Sequence, residues 1–140
     1  MWLYEGVELS ELPEDCVGFV YRISNIISGR IYIGKKLSQF SKTKTKTVTL
    51  KSGIKKKKKI KTKIDSDWLT YYGSSVELTK DVNELGAHNF IREILHFCKS
   101  KGTLSYLEAK IQFELAVLEN PERYYNGHIQ VRVHRSTLKF

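Results

Sequence analysis

The sequence predicts a small α/β sandwich: a three-stranded, mainly antiparallel sheet flanked by helices, with a lysine-rich β-ribbon or loop inserted into it. Three observations carry this. Two short runs rich in β-branched and aromatic residues flank Ser28-Gly29, a third lies at Phe90–Phe97, and apolar residues recur at helical spacing in two later segments. At 140 residues the chain has one domain's length and can bury about two thirds of its unfolded surface. Residues 1–140 therefore read as one domain, with 41–64 as the insertion and 127–140 as a basic C-terminal tail.

Gly18 to Ile27, GFVYRISNII, and Arg30 to Lys35, RIYIGK, form an expected antiparallel hairpin. Alternation sets Ile31 and Ile33 on one face of the second strand and Tyr32 and Gly34 on the other. From Ser41 to Ile64 the Lys/Thr alternation has period two about a central Ser52-Gly53, which suits a ribbon folded back on itself. A disordered lysine-rich loop is the alternative, since neither face can build a core. Asp67 is placed to cap a short turn around Trp68. Val76, Leu78, Val82 and Leu85 approach helical spacing before Gly86, and Leu104, Leu107, Ile111, Leu115 and Leu118 mark a longer helix capped by Thr103 and ended by Asn120-Pro121.

Hydrophobic residues make up 41%, but no run nears the roughly 18 apolar residues of a membrane helix, so membrane partners and a wholly disordered chain are not expected. The N-terminal stretch carries acids where a secretory signal has basic residues, and Cys16 and Cys98 lack metal-ligand spacing. A cytoplasmic protein with reduced thiols is expected.

Charge is the first functional signal. Residues 16–64 contain no Asp or Glu and hold 15 of the 24 basic residues, so a net charge of +9 conceals a strongly basic third beside an acidic remainder. A field segregated in this way attracts a polyanion, nucleic acid above all. The candidate DNA-binding residues are Lys35, Lys42, Lys44, Lys46, Lys51, Lys55, Lys56, Lys57, Lys58, Lys59, Lys61 and Lys63.

The hairpin narrows the chemistry. GFVYRISN followed by GRIYIG resembles the two halves of the GIY-YIG nuclease signature, with Tyr21 and Tyr32 eleven residues apart and Ile33-Gly34 completing the second half. Glu108 in SYLEAKIQFE matches the family's helix glutamate, and Asn126 in RYYNGH its asparagine near the domain's end. The YYGS segment, the EAK helix and the closing VRVHRS are similar to small phage-encoded relatives of homing endonucleases within that family. For a phage-encoded protein the compartment is the host bacterial cytoplasm.

The resemblance implies metal-dependent hydrolysis of DNA phosphodiesters, as nicks or double-strand breaks, by a monomer or a homodimer on DNA. It makes Glu108 the ligand of Mg²⁺ or Mn²⁺, Tyr21 the general base, Tyr32 a hydrogen-bonding partner of the base, water or phosphate, and Asn126 an orienting residue. The sequence departs from the family where an arginine is usual after Tyr-x-Gly, because no arginine occurs between Arg30 and Arg92. A lysine can serve as a point charge, and alternation favours Lys36, which shares a face with Tyr32 and Gly34. Two other classes stay open: a nucleic-acid-binding module that keeps the basic insertion but has weak or no turnover, and a lysine-rich protein that coats RNA or DNA.

Overall fold

The computed structural model describes residues 1–140, apart from the side chains of Lys42, Lys44 and Lys61. Those three sequence candidates for DNA contact lie outside the described residues. The main sheet has five strands, β1 (Trp2–Tyr4), β2 (Val7–Leu9), β3 (Gly18–Asn25), β4 (Ile31–Leu37) and β7 (Phe90–Cys98), in the order β2-β1-β7-β3-β4. Strands β5 (Gln39–Thr49) and β6 (Lys55–Asp65) form a separate two-stranded ribbon.

The expected three strands are therefore the β7-β3-β4 part of a wider sheet. β1 and β2 are three residues each, too short for alternation to show. A tight turn at Glu5 and Gly6, both at positive φ, joins them, and β1 lies parallel to β7 while the other pairings are antiparallel.

The two helices cover opposite faces. Helix α1 (Val76–Leu85) starts at Ser75, whose hydroxyl accepts from Leu78 N, and ends at Gly86, φ +91°, a backbone geometry open to glycine. Its Leu78 joins Trp2, Phe19, Tyr21, Ile23, Phe90 and Ile94 in one buried cluster. Helix α2 (Lys101–Glu114) covers the other face, where Val20, Ile33, Cys98, Leu104 and Val117 pack. It is capped by Ser100 rather than Thr103, and it stops short of the expected Leu118 as Ala116 turns to φ +53°. The tail returns to the start of α2, where Thr103 Oγ1 donates to Lys139 O and accepts from Lys139 N. Among the described residues no helix is long and apolar enough to cross a membrane.

The insertion is a ribbon, and its register explains how five consecutive lysines are accommodated. Thr43, Thr45, Thr47 and Thr49 stand opposite Lys61, Lys59, Lys57 and Lys55, and only Lys46 and Lys58 place two lysines directly across from one another. Like charges face each other once along the ladder, where a shifted register would stack several such pairs.

The aromatic segment between ribbon and α1 is tied to the sheet by a buried guanidinium. Arg92 of β7 donates to the carbonyls of Leu69 (3.0 Å) and Tyr71 (2.9 Å) and lies between the rings of Trp2 and Tyr72. Trp2 Nε1 adds a bond to Trp68 O. Replacing Arg92 by Met keeps the stem and strands two carbonyls, so a loss of about 2–3 kcal/mol is expected. A urea titration would read it as a lower midpoint at unchanged slope; an unchanged midpoint would show that the peg carries no stability.

Candidate active site

The site grows from the outer edge of β4. In the hairpin Tyr21 pairs with Gly34 and Ile23 with Tyr32, so the alternate residues Ile31, Ile33 and Lys35 turn their peptide groups away from β3. Each finds a partner from later in the chain. Ile31 N donates to Arg123 O, and Tyr125 N donates to Ile31 O. The Ile33 peptide is clamped by Asn126, whose Oδ1 accepts from Ile33 N (3.1 Å) while Nδ2 donates to Ile33 O (2.8 Å). Gln112 Nε2 donates to the same carbonyl at 3.0 Å, filling both its lone pairs. At Lys35 the Glu108 carboxylate lies beside the edge, close enough for the Lys35 main-chain N–H to lower its pKa.

Glu108 and Gln112 stand four residues apart on α2 and meet β4 residues two apart. A helix rises about 6 Å over four residues and a strand about 6.8 Å over two, so both contacts close together. The strand edge thus presents Glu108 and Asn126 side by side. With Tyr32, Lys35, Ser74 and His128 they line a cleft of about 540 Å³.

Electrostatically the cleft balances a buried acid against local cations. The Glu108 side chain is 13% exposed and its Oε1 lies 3.9 Å from Lys35 Nζ. Burial pushes its pKa up, while Lys35, His128 and the Lys35 N–H pull it down. Lys35 Nζ also donates to Ser105 Oγ at 2.8 Å.

Tyr32 reaches the cleft with its hydroxyl 2.9 Å from Ser74 Oγ. Tyr21 does not line it. A bulge in the β3–β7 ladder falls between Val20 and Tyr21, and the Tyr21 ring lies across Gly34, where a Cβ would stand 2.6 Å from Tyr21 Cζ and 2.9 Å from Tyr32 Cε1. The second glycine of the signature is thereby explained: the ring needs that space. Burial is the main reason the Tyr21 phenol sits well above its ordinary value, and Tyr32, Tyr71 and Glu108 push it further the same way. Burial also raises Tyr32.

The structure brings together Tyr32, Glu108 and Asn126, with Tyr21 directly beneath. Of the two lysines, Lys35 lines the cleft and Lys36 does not. Lys36 does share the Tyr21 face, but its ammonium pairs with Asp67 Oδ1 at 2.5 Å and lies 3.9 Å over the Tyr71 ring. Lys35 reaches round the strand edge to the cleft, a reach of a long side chain that alternation does not encode. Gln112 and His128 were not anticipated. Gln112 had a faint signal, a polar residue four after Glu108 beside the apolar helix stripe; His128 had none.

Among the described residues no three His, Cys, Asp or Glu side chains gather. The donor set is one carboxylate with acceptor capacity left over, in an open cleft. It suits a hard divalent cation whose other ligands are waters and substrate phosphate oxygens, and so fits Mg²⁺ or Mn²⁺ on Glu108.

No curated protein and no solved structure matches the chain. A family model does, described as "Putative endonuclease segE, GIY-YIG domain", and it matches residues 2–129. That span contains the whole hairpin, the ribbon, both helices and Asn126. With the tyrosine hairpin, the helix glutamate and the asparagine clamp inside it, this chain belongs to the GIY-YIG nuclease family.

Proposed function

We propose that the chain is a divalent-cation-dependent DNA endonuclease whose chemistry takes place in the cleft at the β4 edge. The observation that carries the reading is the convergence of Glu108, Lys35, Tyr32 and Asn126 on that cleft. In hydrolysis a water oxygen bonds to phosphorus and the bond to the 3′ oxygen breaks, so charge builds on the phosphoryl oxygens and on the departing oxygen. Glu108 would hold the cation. Bound there, Mg²⁺ or Mn²⁺ supplies a lowered water pKa and positive charge for the transition state. Lys35, already beside Glu108, takes the place of the family arginine as a point charge on a phosphate oxygen. The Tyr32 hydroxyl at the cleft orients the phosphate or the water.

Tyr21 enters this mechanism as a neutral phenol. Burial opposes its phenolate, so we assign it a neutral hydroxyl beneath the site, its ring against Gly34 and edge-on to Tyr71, in preference to base catalysis. Asn126 is a positioning residue, acting through the Ile33 peptide. DNA is held by the ribbon, whose lysines track phosphates. One cleft cuts one strand, so a monomer nicks, and a double-strand break needs a second copy or a second encounter.

Supercoiled plasmid with Mg²⁺ tests the reading. Glu108→Ala should lower cleavage at least about a hundredfold and retain DNA binding, and Tyr21→Phe, which removes one buried hydroxyl, should lower it less, by about tenfold. Lys35→Ala should cost more than Lys36→Ala, with Lys35→Arg restoring cleavage. Full activity in Glu108→Ala, or no metal-dependent cleavage in the wild type, would remove the enzyme and favour a binding module.

Asn126→Ala leaves the Ile33 N–H without its partner, which should cost about 1–3 kcal/mol in denaturant and lower kcat more than KM. An effect on stability with kcat intact would make the clamp purely structural.

Replacing residues 42–63 by a short Gly-Ser linker tests the ribbon. The log–log salt dependence of binding should flatten by about 0.9 for every phosphate the ribbon neutralises, while cleavage persists at low salt with the same cut pattern. An unchanged slope would show that the lysines face only solvent.

A further inference from the structure

A second pocket, of about 370 Å³, adjoins the cleft, and Lys35 lines both. Its apolar lining comes from Leu37, Leu104 and the rings of Phe40 and Tyr71, and Lys35, Lys36 and Lys101 supply its charge. Phe40, at the root of β5, is 40% exposed. The Lys36 ammonium lies 5.0 Å from the Phe40 ring and 3.9 Å from the Tyr71 ring. Lys101 carries no ion pair among the described residues.

We propose that this pocket receives one unstacked nucleotide of the strand being cut, its base on Phe40 and its phosphate among the lysines. The proposal rests on the DNA-cleaving reading of the cleft. Three features select this occupant. The volume lies at the small end of ligand sites, enough for one nucleotide and too little for a base pair, so a base from duplex DNA enters only by leaving the stack. An aromatic ring 40% exposed, with Lys36 over it and held by Asp67, beside the ammoniums of Lys35 and Lys101, matches a π-face joined to a phosphate. The shared Lys35 sets the pocket next to the scissile phosphate, so its nucleotide is a near neighbour of the cut. Ser105 is the one uncharged polar side chain besides Tyr71 in the lining, which offers little to read a base edge and makes the pocket tolerant of base identity.

The test is a cycle between Phe40 and the base. Once the nick is mapped, duplexes carrying an abasic nucleotide at each of the two positions on either side of it are cut by wild-type protein, Phe40→Ala and Phe40→Tyr. Stacking of a base on an aromatic ring is worth about 5- to 150-fold. Phe40→Ala should therefore slow cleavage of the intact duplex about tenfold, yet act less than about twofold on the substrate that lacks the base at one position. Phe40→Tyr should stay near wild type, and an unchanged melting temperature in Phe40→Ala would show that the exposed ring is not holding the fold. Equal slowing by Phe40→Ala on every substrate overturns the pocket and leaves the nuclease reading standing. Absence of cleavage by wild-type protein overturns that reading, and the pocket with it.

Discussion

The peptide groups on the outer edge of β4 have no sixth strand to pair with, and the way they are satisfied decides where the chemistry can be. An unpaired strand edge invites association with other chains. Here main chain at 123–125 and the amides of Asn126 and Gln112 take that edge at Ile31 and Ile33. The helix that closes the edge through Gln112 also carries Glu108, one turn earlier. The rise of helix and strand match over this interval, which lets one helix deliver both the acid and its supporting amide. Preorganisation of this kind is what the proposed chemistry would need in order to hold a weakly chelated cation and a phosphate in line.

Desolvation then divides the work among the polar groups. Tyr21 has lost nearly all exposure to water, and its phenol is held in the neutral form. Glu108 sits at the boundary, raised by burial and drawn back by Lys35 and His128. The lysines on either side of the strand illustrate the same competition. Lys36 is committed to Asp67, whose pKa it lowers, whereas Lys35 keeps a looser contact with its acid at 3.9 Å and lines the cleft. The ribbon concentrates positive charge without a core of its own, and its register sets lysine against lysine at a single pair, Lys46 and Lys58.

Much of this was readable from residue order because it follows from strict periods. The hairpin, α1, the helix bearing Glu108 and the midpoint of the ribbon each had a period of two or a spacing of three and four to reveal them. What was missed lacked a period. β1 and β2 are three residues each, and the parallel pairing of β1 with β7 joins positions about ninety residues apart. Arg92, a charge in the middle of a buried strand, reads as a solvated face until its two carbonyl partners are seen. That Lys35 and not Lys36 lines the cleft is a matter of side-chain reach around an edge, and alternation describes faces. Gln112 and His128 are ordinary polar residues until Ile33 and Glu108 stand opposite them.

The central claim is that the β4 edge holds a divalent cation on Glu108 beside Lys35 and Tyr32. Anomalous diffraction from crystals of the protein with Mn²⁺ and an uncleaved DNA duplex measures this directly. The account expects one strong peak about 2.0–2.3 Å from a Glu108 carboxylate oxygen, with a DNA phosphate oxygen as a further ligand. A peak on other carboxylates such as Asp67, or DNA bound with its phosphates away from this cleft, would contradict it.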